Sequence, residues 1–205
     1  MIYHYSKRLL DVTLSGAALF VLSPVIGVSA VAIRLSMGKP VLFHQDRPGK
    51  DGKIFRLHKF RTMLLSNSED TSFQAENARL TKLGRLLRST SLDELPTLIN
   101  VLKGEMSLVG PRPLLVRYLG RYSPEQARRH EVIPGITGWA QINGRNALSW
   151  EEKFDHDVWY VDNRSFFLDM RILAVTVLKV FKRDGISHSG FSTMPEFGLD
   201  RHDQE

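Results

Sequence analysis

Two adjacent carboxylates, Asp93 and Glu94, precede a predicted helix and are the first candidates for chemistry. Apolar residues at helical spacing over 95–102, followed by Gly104, indicate this helix and its end. The dipole and free N–H groups of a helix N-terminus favour negative charge, so both carboxylates are expected to be ionised. Ionised carboxylates act in proteins as nucleophiles or as ligands of hard cations. A plainer interpretation of Glu94 stays open, because Ser91 and Glu94 also fit a capping box.

Arg112 lies between Pro111 and Pro113, and the two prolines predict a stiff, extended backbone around it. An arginine held in this way has little conformational freedom left to lose, and its planar guanidinium suits a phosphate. Phosphate binding is therefore one hypothesis for this segment. A simple loop bracket is the alternative, since Pro-x-Pro alone is a weak signal.

The elements that would position these groups begin with a basic β-hairpin over residues 41–63. Gly49 and the Asp51–Gly52 pair supply its turn. Its second arm carries four cations, Lys53, Arg56, Lys59 and Arg61.

A basic helix is predicted over residues 79–89, which places leucines and cations on different faces. The leucines are Leu80, Leu83 and Leu87, and the cations are Lys82, Arg85 and Arg88. This pattern is typical of a helix on an anionic membrane surface. A helix packed on the core with a solvated basic face explains it equally well.

A long apolar run covers 14–33 and contains Ser23–Pro24 at its centre. Its length suits a bilayer, but proline removes a backbone hydrogen bond and bends or ends a helix. Basic residues flank both ends, Lys7 and Arg8 before the run and Arg34 and Lys39 after it, and this favours both flanks on the cytoplasmic side. A re-entrant helix and a kinked single span both stay open.

The second half of the chain is expected to be helical around a turn-rich segment over 134–146. Ser123 and Ser149 are predicted N-caps, and residues 166–183 are predicted to form an amphipathic helix. Asp155-His156-Asp157 resembles a metal-binding acidic pair, but a helical position separates the two carboxylates, so a structural role is preferred. His130 lacks a second histidine partner and is expected at the surface.

The composition excludes several classes of protein. The 205 residues contain no cysteine, so no disulfide or thiolate metal site exists, and the net charge of +6 indicates anionic partners. Nucleic acid is not expected among them, because no stacking aromatics or recognition motif accompany the basic residues. A non-enzymatic, basic scaffold on a membrane surface stays open as an alternative.

With these residues together, the chain closely resembles the small monotopic phosphoglycosyl transferases of bacteria, the polyprenyl-phosphate glycosyl-1-phosphate transferases of the bacterial sugar transferase family. The resemblance covers most of the chain before Gly185. It is carried by the ordered motifs "KRLLDV", "FHQDRPG", "KIFRLHKFRTM", "LGRLLRSTSLDELPTLINVLKGEMSLVGPRPLL", "PGITGWAQINGRN" and "SWEEKFDHDVWYV". Its length is similar to the minimal catalytic form of the family.

The resemblance implies an α+β, mainly helical fold with a re-entrant anchor at 1–36, broken at Ser23–Pro24. A small β-hairpin and amphipathic membrane-surface helices would surround a single catalytic domain at 37–185, and a polar tail would follow at 186–205. The protein would be monotopic, on the cytoplasmic face of the bacterial inner membrane.

The activity implied is transfer of a sugar 1-phosphate from a UDP-sugar to undecaprenyl phosphate with release of UMP, a step that begins glycoconjugate assembly. Asp93 would form a covalent phosphosugar intermediate, and Glu94 would hold Mg²⁺. Direct transfer without that intermediate is the alternative mechanism. The residues implied to contact phosphate or nucleotide are Lys59, Arg88, Arg112, Gln141 and Arg145. Lys7 and Arg8 would bind anionic lipid headgroups.

Overall fold

The computed structural model describes residues 2–65, 78–144, 147–182 and 197–198. Within them the chain is mainly helical and contains two small two-stranded sheets, which confirms the predicted class. Two compact units divide the chain: the first contains Met1–Gln45 and Arg56–Leu108, and the second contains Asp46–Phe55 and Val109–Glu205. This division describes packing within the chain. The predicted division into membrane anchor, catalytic domain and tail describes membrane position and stays a prediction.

The first unit begins with two helices, α1 at Ile2–Val21 and α2 at Ser23–Met37, that meet at an angle of 61°. Pro24 lies in the first turn of α2, and Ser23 Oγ donates to the Phe20 carbonyl over 2.8 Å. The predicted break at Ser23–Pro24 is therefore present as a bend. No single helix in the described ranges has the length and apolar character to cross a bilayer, but this bent pair has both when taken together. Re-entry into a membrane remains a prediction.

The hairpin is confirmed as strands β1 at Leu42–Pro48 and β2 at Ile54–Phe60. A 3₁₀ turn at Lys50–Gly52 joins them, with Asp51 at φ 55° and Gly52 at φ 72°. Glycine tolerates this left-handed conformation without steric cost, and aspartate visits it more readily than most residues. The predicted turn chemistry at this pair is therefore borne out.

The predicted basic helix begins later than the sequence pattern indicated, as α3 at Lys82–Ser89. Thr81 caps it by accepting a hydrogen bond from the Gly84 N–H, while Leu80 pairs with Met63 in an isolated bridge. Leu87 is buried against Ile33, in the core of the first unit, and Leu86 is 54% exposed. The helix therefore has both a packed face and an exposed apolar residue.

The rest of the first unit holds the carboxylate segment. A 3₁₀ helix at Leu92–Thr97 leads directly into helix α4 at Leu98–Lys103, which ends at Gly104 with φ 83° as predicted. Helix α1 is fixed to this segment by Arg8, which donates to the carbonyls of Val101 and Leu102 over 2.6 and 2.7 Å. A guanidinium at a helix C-terminus satisfies carbonyls that have no partner within the helix and complements the dipole.

The second unit is helical around a small sheet. The sheet pairs β3 at Ser107–Val109, whose last residue belongs to this unit, with β4 at Gly135–Thr137. The α-helices are α5 at Pro124–Ala127, α6 at Trp139–Ile142, α7 at Trp150–Asn163 and α8 at Phe166–Lys182. Two further 3₁₀ segments lie at Val116–Arg121 and Arg128–Glu131.

Local capping explains where two of these helices begin. Ser123 and Ser149 each accept a hydrogen bond from the third helical residue and form a complete capping box, with Gln126 and Glu152 respectively. Both predicted N-caps are confirmed.

Inside the unit, the hydroxyl of Tyr160 on α7 donates to Asp169 Oδ1 on α8 over 2.7 Å, and both residues are buried.

Candidate functional site

The carboxylate pair lies in the first turn of the Leu92–Thr97 3₁₀ helix, where both residues are half-buried. Ser91 precedes it in a left-handed conformation, at φ 57° and ψ 16°, and its side chain makes no capping hydrogen bond. The capping box considered for Ser91 and Glu94 is therefore wrong. Because a non-glycine residue in this region is strained, the backbone here is held by its surroundings rather than by local preference.

Glu94 forms an ion pair with Lys59 of β2, whose Nζ lies 2.7 Å from Glu94 Oε1. The two side chains are 21% and 22% exposed. A pair that is mostly removed from water is stronger than one at the surface, because the effective dielectric constant is lower. Strand β2 thus brings the Lys59 ammonium to the carboxylate segment, and the contact of Lys59 with phosphate or nucleotide stays a prediction.

Asn100 on α4 fixes β2 beside the carboxylate segment. Its side chain accepts from the His58 N–H over 3.1 Å and donates to the Arg56 carbonyl over 2.8 Å, and it is fully buried. Thr97 adds a hydrogen bond to the His58 carbonyl at 2.8 Å. Three bonds to the backbone of β2 set the register in which Lys59 meets Glu94.

Arg88, on the last turn of α3, donates from Nε to Thr62 Oγ1 over 3.1 Å. Arg88 is one of the residues expected to contact phosphate, and this hydrogen bond restricts the position of its guanidinium. The helix that carries it ends just before the carboxylate segment. Thr62 is buried, so the contact holds Arg88 against a fixed neighbour. Lys59, Arg88, Asp93 and Glu94 all belong to the first unit.

Arg112 belongs to the second unit and follows a close approach between two backbone segments. Gly110 N–H donates to Thr137, and Gly135 N–H donates to Pro111, each over 2.9 Å. A Cβ on Gly135 would lie 2.1 Å from the Gly110 nitrogen, so glycine is required for this approach. The predicted stiffness of the Pro111–Pro113 segment thus comes from backbone pairing as well as from its prolines.

A buried arginine that the sequence hypotheses did not include contacts this segment. Arg129 donates to the Arg112 carbonyl over 2.7 Å, to Asp157 Oδ2 over 2.6 Å and to the Tyr122 hydroxyl over 3.1 Å. Arg129 and Asp157 are both almost fully buried. Burial lowers the pKa of Arg129, but the Asp157 carboxylate and Tyr122 raise it above its ordinary value, so the guanidinium stays charged. In the sequence, Arg129 stood out only as one of several basic residues in a helical segment.

Asp157 lies in α7, which confirms that Asp155-His156-Asp157 is helical and gives Asp157 the structural role preferred for it. His130 differs from its expected surface position: its side chain is half-buried, with Nδ1 3.2 Å from the Gly49 carbonyl, to which it donates. Burial, followed by the charge of Arg129, lowers the pKa of His130 to about 4. Its Nε2 is buried without a hydrogen-bond partner.

Gln141 lies on α6 in the second unit, and its Oε1 is buried without a hydrogen-bond partner. Gly138, at the start of that helix, leaves room for the Gln141 side chain, because a Cβ at residue 138 would lie 2.7 Å from Gln141 Oε1.

Arg145 lies outside the described residues. Arg8 binds the end of α4, as described above, and the headgroup role of Lys7 and Arg8 stays a prediction.

No group of three or more His, Asp or Glu side chains within the described ranges is arranged to hold a metal ion. Asp93 and Glu94 nevertheless offer carboxylate oxygens, which are the donors that Mg²⁺ prefers. One oxygen of Glu94 already accepts from Lys59. A magnesium ion here would therefore depend on phosphate oxygens and water for most of its ligands, as is usual for this ion in phosphate-handling sites.

Comparison with known proteins gives consistent matches. The sequence model of a family described as "Bacterial sugar transferase" matches residues 2–183. The uncharacterized sugar transferase EpsL of Bacillus subtilis (strain 168) is 56% identical over 194 residues, covering 93% of this chain and 95% of that protein.

Longer relatives carry more specific names. The UDP-glucose:undecaprenyl-phosphate glucose-1-phosphate transferase of Klebsiella pneumoniae is 42% identical over 185 residues, 85% of this chain and 40% of that protein. The UDP-N-acetylgalactosamine-undecaprenyl-phosphate N-acetylgalactosaminephosphotransferase of Aeromonas hydrophila is 38% identical over 184 residues, 86% of this chain and 44% of that protein. The chain therefore spans less than half the length of these two relatives.

Proposed function

Because this chain belongs to the bacterial sugar transferase family and is a transferase, we propose that it transfers a sugar 1-phosphate from a UDP-sugar to undecaprenyl phosphate. The products are UMP and an undecaprenyl diphosphate-linked sugar. This reaction places the protein in glycoconjugate biosynthesis, at the step that loads the lipid carrier. The names of the relatives support both substrates.

The proposed reaction proceeds in two displacements at one phosphorus atom. An Asp93 carboxylate oxygen attacks the phosphorus that carries the sugar, the bond from that phosphorus to the UMP oxygen breaks, and UMP leaves with the bonding electrons. A phosphate oxygen of undecaprenyl phosphate then attacks the same phosphorus and displaces the Asp93 carboxylate. Each step forms one P–O bond and breaks one, so the enzyme is regenerated.

The observation that carries this proposal is the Lys59–Glu94 ion pair beside Asp93. A carboxylate that attacks a phosphate needs nearby positive charge, because both reactants are anionic. Lys59 supplies a fixed ammonium next to the pair, and Arg88 supplies a second cation in the same unit. Electrostatic preorganisation of this kind stabilises the charge that develops in the transition state.

Mg²⁺ is the proposed cofactor, held by Glu94 together with phosphate oxygens and water. When bound, it would neutralise charge on the transferred phosphate and on the leaving UMP. Glu94 would hold the ion, the hydrogen bond from Lys59 orients Glu94, and Asp93 would provide the nucleophilic oxygen.

We assign the protein to the cytoplasmic face of the bacterial inner membrane, anchored by the bent helix pair α1–α2. The acceptor phosphate stays in the headgroup layer because its isoprenoid chain is in the lipid, whereas the donor is water-soluble. An enzyme for both substrates has to act at that boundary. The bend at Ser23–Pro24 supports an anchor that enters and leaves one leaflet.

The test is to incubate the purified protein in detergent with UDP-sugars that carry labelled sugar and β-phosphate, with Mg²⁺ and without acceptor. Label bound to the protein, absent from Asp93→Asn, supports the covalent route. Asp155→Asn is the matched control, since it changes an exposed aspartate in the same way. UMP formation that requires the acceptor, with no protein-bound label, supports direct transfer instead. No UMP from any UDP-sugar, with or without acceptor, favours a non-enzymatic scaffold.

A further inference from the structure

The Arg129–Asp157 ion pair is costly to bury, and the proposed chemistry does not use it directly. Asp157 Oδ2 receives hydrogen bonds from both Nε and Nη2 of Arg129, over 3.1 and 2.6 Å. Buried pairs of this kind are often no more stable than apolar side chains of similar volume, because both charges lose their hydration. The buried Arg129–Asp157 pair is therefore expected to have a role that two apolar side chains could not perform.

That role is indicated by the third group that Arg129 binds. Its Nη2 also donates to the backbone carbonyl of Arg112 over 2.7 Å, while Nη1 binds the Tyr122 hydroxyl. Only a guanidinium has enough donors, in a rigid plane, to reach a carboxylate, a hydroxyl and a carbonyl together. The aromatic rings of Tyr122 and Phe154, whose centroids lie 5.7 and 5.5 Å from the guanidinium carbon, further restrict its position.

A second arginine holds the next carbonyl of the same segment. Arg47, at the hairpin tip, donates from Nη1 to the Pro113 carbonyl over 3.3 Å, and tip and segment both belong to the second unit. Burial, followed by the nearby charge of Arg112, lowers the pKa of Arg47 to about 10, so it remains protonated at neutral pH. The carbonyls of Arg112 and Pro113 are thus each bound by a cation.

We propose that Arg129, with Asp157 as its counterion, is a positioning residue that orders Arg112 for binding a phosphate group of the nucleotide. Fixing the Arg112 carbonyl restricts the backbone from which this side chain extends, and the guanidinium itself donates from Nη1 to the Ile136 carbonyl over 3.4 Å. A side chain ordered before binding loses less entropy when it binds an anion. This inference rests on the proposed function, since it takes a UDP-sugar as the ligand of Arg112.

A double-mutant cycle on UDP binding tests the proposal without requiring turnover. Affinity for UDP is measured by calorimetry with the full chain in detergent, for wild type, Arg129→Lys, Arg112→Ala and the double variant. Lysine keeps the charge beside Asp157 but cannot bind all three partners. We expect Arg129→Lys to weaken binding about tenfold when Arg112 is present and less than about twofold when Arg112 is alanine.

The neighbouring Arg128 provides the matched control. It is paired with Glu125, Glu131 and Asp162 at the surface, and Arg128→Lys should leave UDP affinity unchanged. Tyr122→Phe removes one partner of Arg129 and keeps the ion pair, so it serves as the milder variant if Arg129→Lys does not fold. It should weaken binding in the same direction and by a smaller factor, again only when Arg112 is present.

The outcomes separate this inference from the proposed function. If Arg129→Lys lowers UDP affinity equally with and without Arg112, or if the wild type does not bind UDP, the positioning role is overturned. If UDP affinity falls only when Arg112 is present, but the wild type forms no UMP, the positioning role is supported and the proposed transfer is contradicted. If UDP affinity falls only when Arg112 is present and the wild type forms UMP, both are supported. A thermal unfolding midpoint recorded for each variant separates lost binding from lost fold.

Discussion

The ammonium group of Lys59 lies 2.7 Å from Glu94 Oε1, although the two residues are 35 positions apart in the chain. The hairpin strand β2 brings the lysine to the 3₁₀ helix that carries Asp93 and Glu94, and Asn100 holds that strand in register. The carboxylate pair is therefore more than the start of a helix. Glu94 is ion-paired with Lys59, so its surroundings depend on the β1–β2 hairpin.

Lys59→Met should lower kcat/KM for sugar-phosphate transfer by a factor on the order of 100, because it removes a preorganised cation from the carboxylate pair that contains the proposed nucleophile. The measurement is UMP release with saturating acceptor. Lys53→Met is the matched control, since Lys53 belongs to the same basic arm but is exposed and precedes β2. Its activity should match the wild type. Equal activity of the two variants would remove Lys59 from the proposed site.

Ser91→Gly should keep activity and leave stability unchanged or slightly increased, because glycine adopts the left-handed conformation of residue 91 without strain. Ser91→Val should destabilise the fold by about 1–2 kcal/mol, since a β-branched side chain clashes in that conformation. Thermal unfolding and UMP release are measured for both. Loss of activity in a fully folded Ser91→Gly variant would instead assign a role to the hydroxyl group.

Gly84→Ala should destabilise the protein by roughly 1–3 kcal/mol, the usual cost of overpacking. An added Cβ would lie 1.9 Å from the Thr62 carbonyl oxygen, and moving α3 away would also disturb the contact of Arg88 with Thr62. Gly16→Ala is the matched control in α1, where the new methyl group meets no atom within 4 Å. That variant should be neutral or slightly more stable, since alanine favours helix. Similar losses in both variants would contradict the packing argument.

Features controlled by a few neighbouring residues could be predicted from the sequence. The hairpin turn depends on Asp51 and Gly52, and two helix starts depend on Ser123 and Ser149 with the side chain three residues on. The end of α4 likewise depends on one residue, Gly104, which adopts the left-handed conformation that ends the helix. In each case the hydrogen bonds or backbone angles that decide the structure lie within one turn of chain, so the residue pattern contains the relevant physics.

Features decided by distant contacts could not be predicted in this way. The Ser91 and Glu94 pattern fits a capping box, but Glu94 pairs with Lys59 and Ser91 adopts a left-handed conformation instead. The sheet of 107–109 with 135–137 has strands too short for a periodic signal. Arg129 carries no local mark, since its partner Asp157 is 28 positions away. The sequence therefore indicated the carboxylate pair, but it did not indicate Lys59 as the partner of Glu94 or Asp157 as the partner of Arg129.

Stability should fall as pH falls from about 6.5 to about 4 because of His130, whose pKa is lowered to about 4 by burial and by the charge of Arg129. In that range the unfolded chain binds a proton at this imidazole and the folded chain does not, so acidification favours unfolding. The expected contribution is about 1–2 kcal/mol, allowing for screening of a partly solvated ring.

The check is to measure thermal unfolding midpoints at pH 7 and pH 5 for the wild type, His130→Gln and His4→Gln. The glutamine at 130 has no proton to gain, so the difference between the two pH values should shrink in that variant. His4 is exposed on α1, and its replacement should leave the wild-type difference in place. An unchanged pH difference in His130→Gln would mean that other groups carry the acid sensitivity. In that case the contact of His130 with the Gly49 carbonyl would serve packing alone.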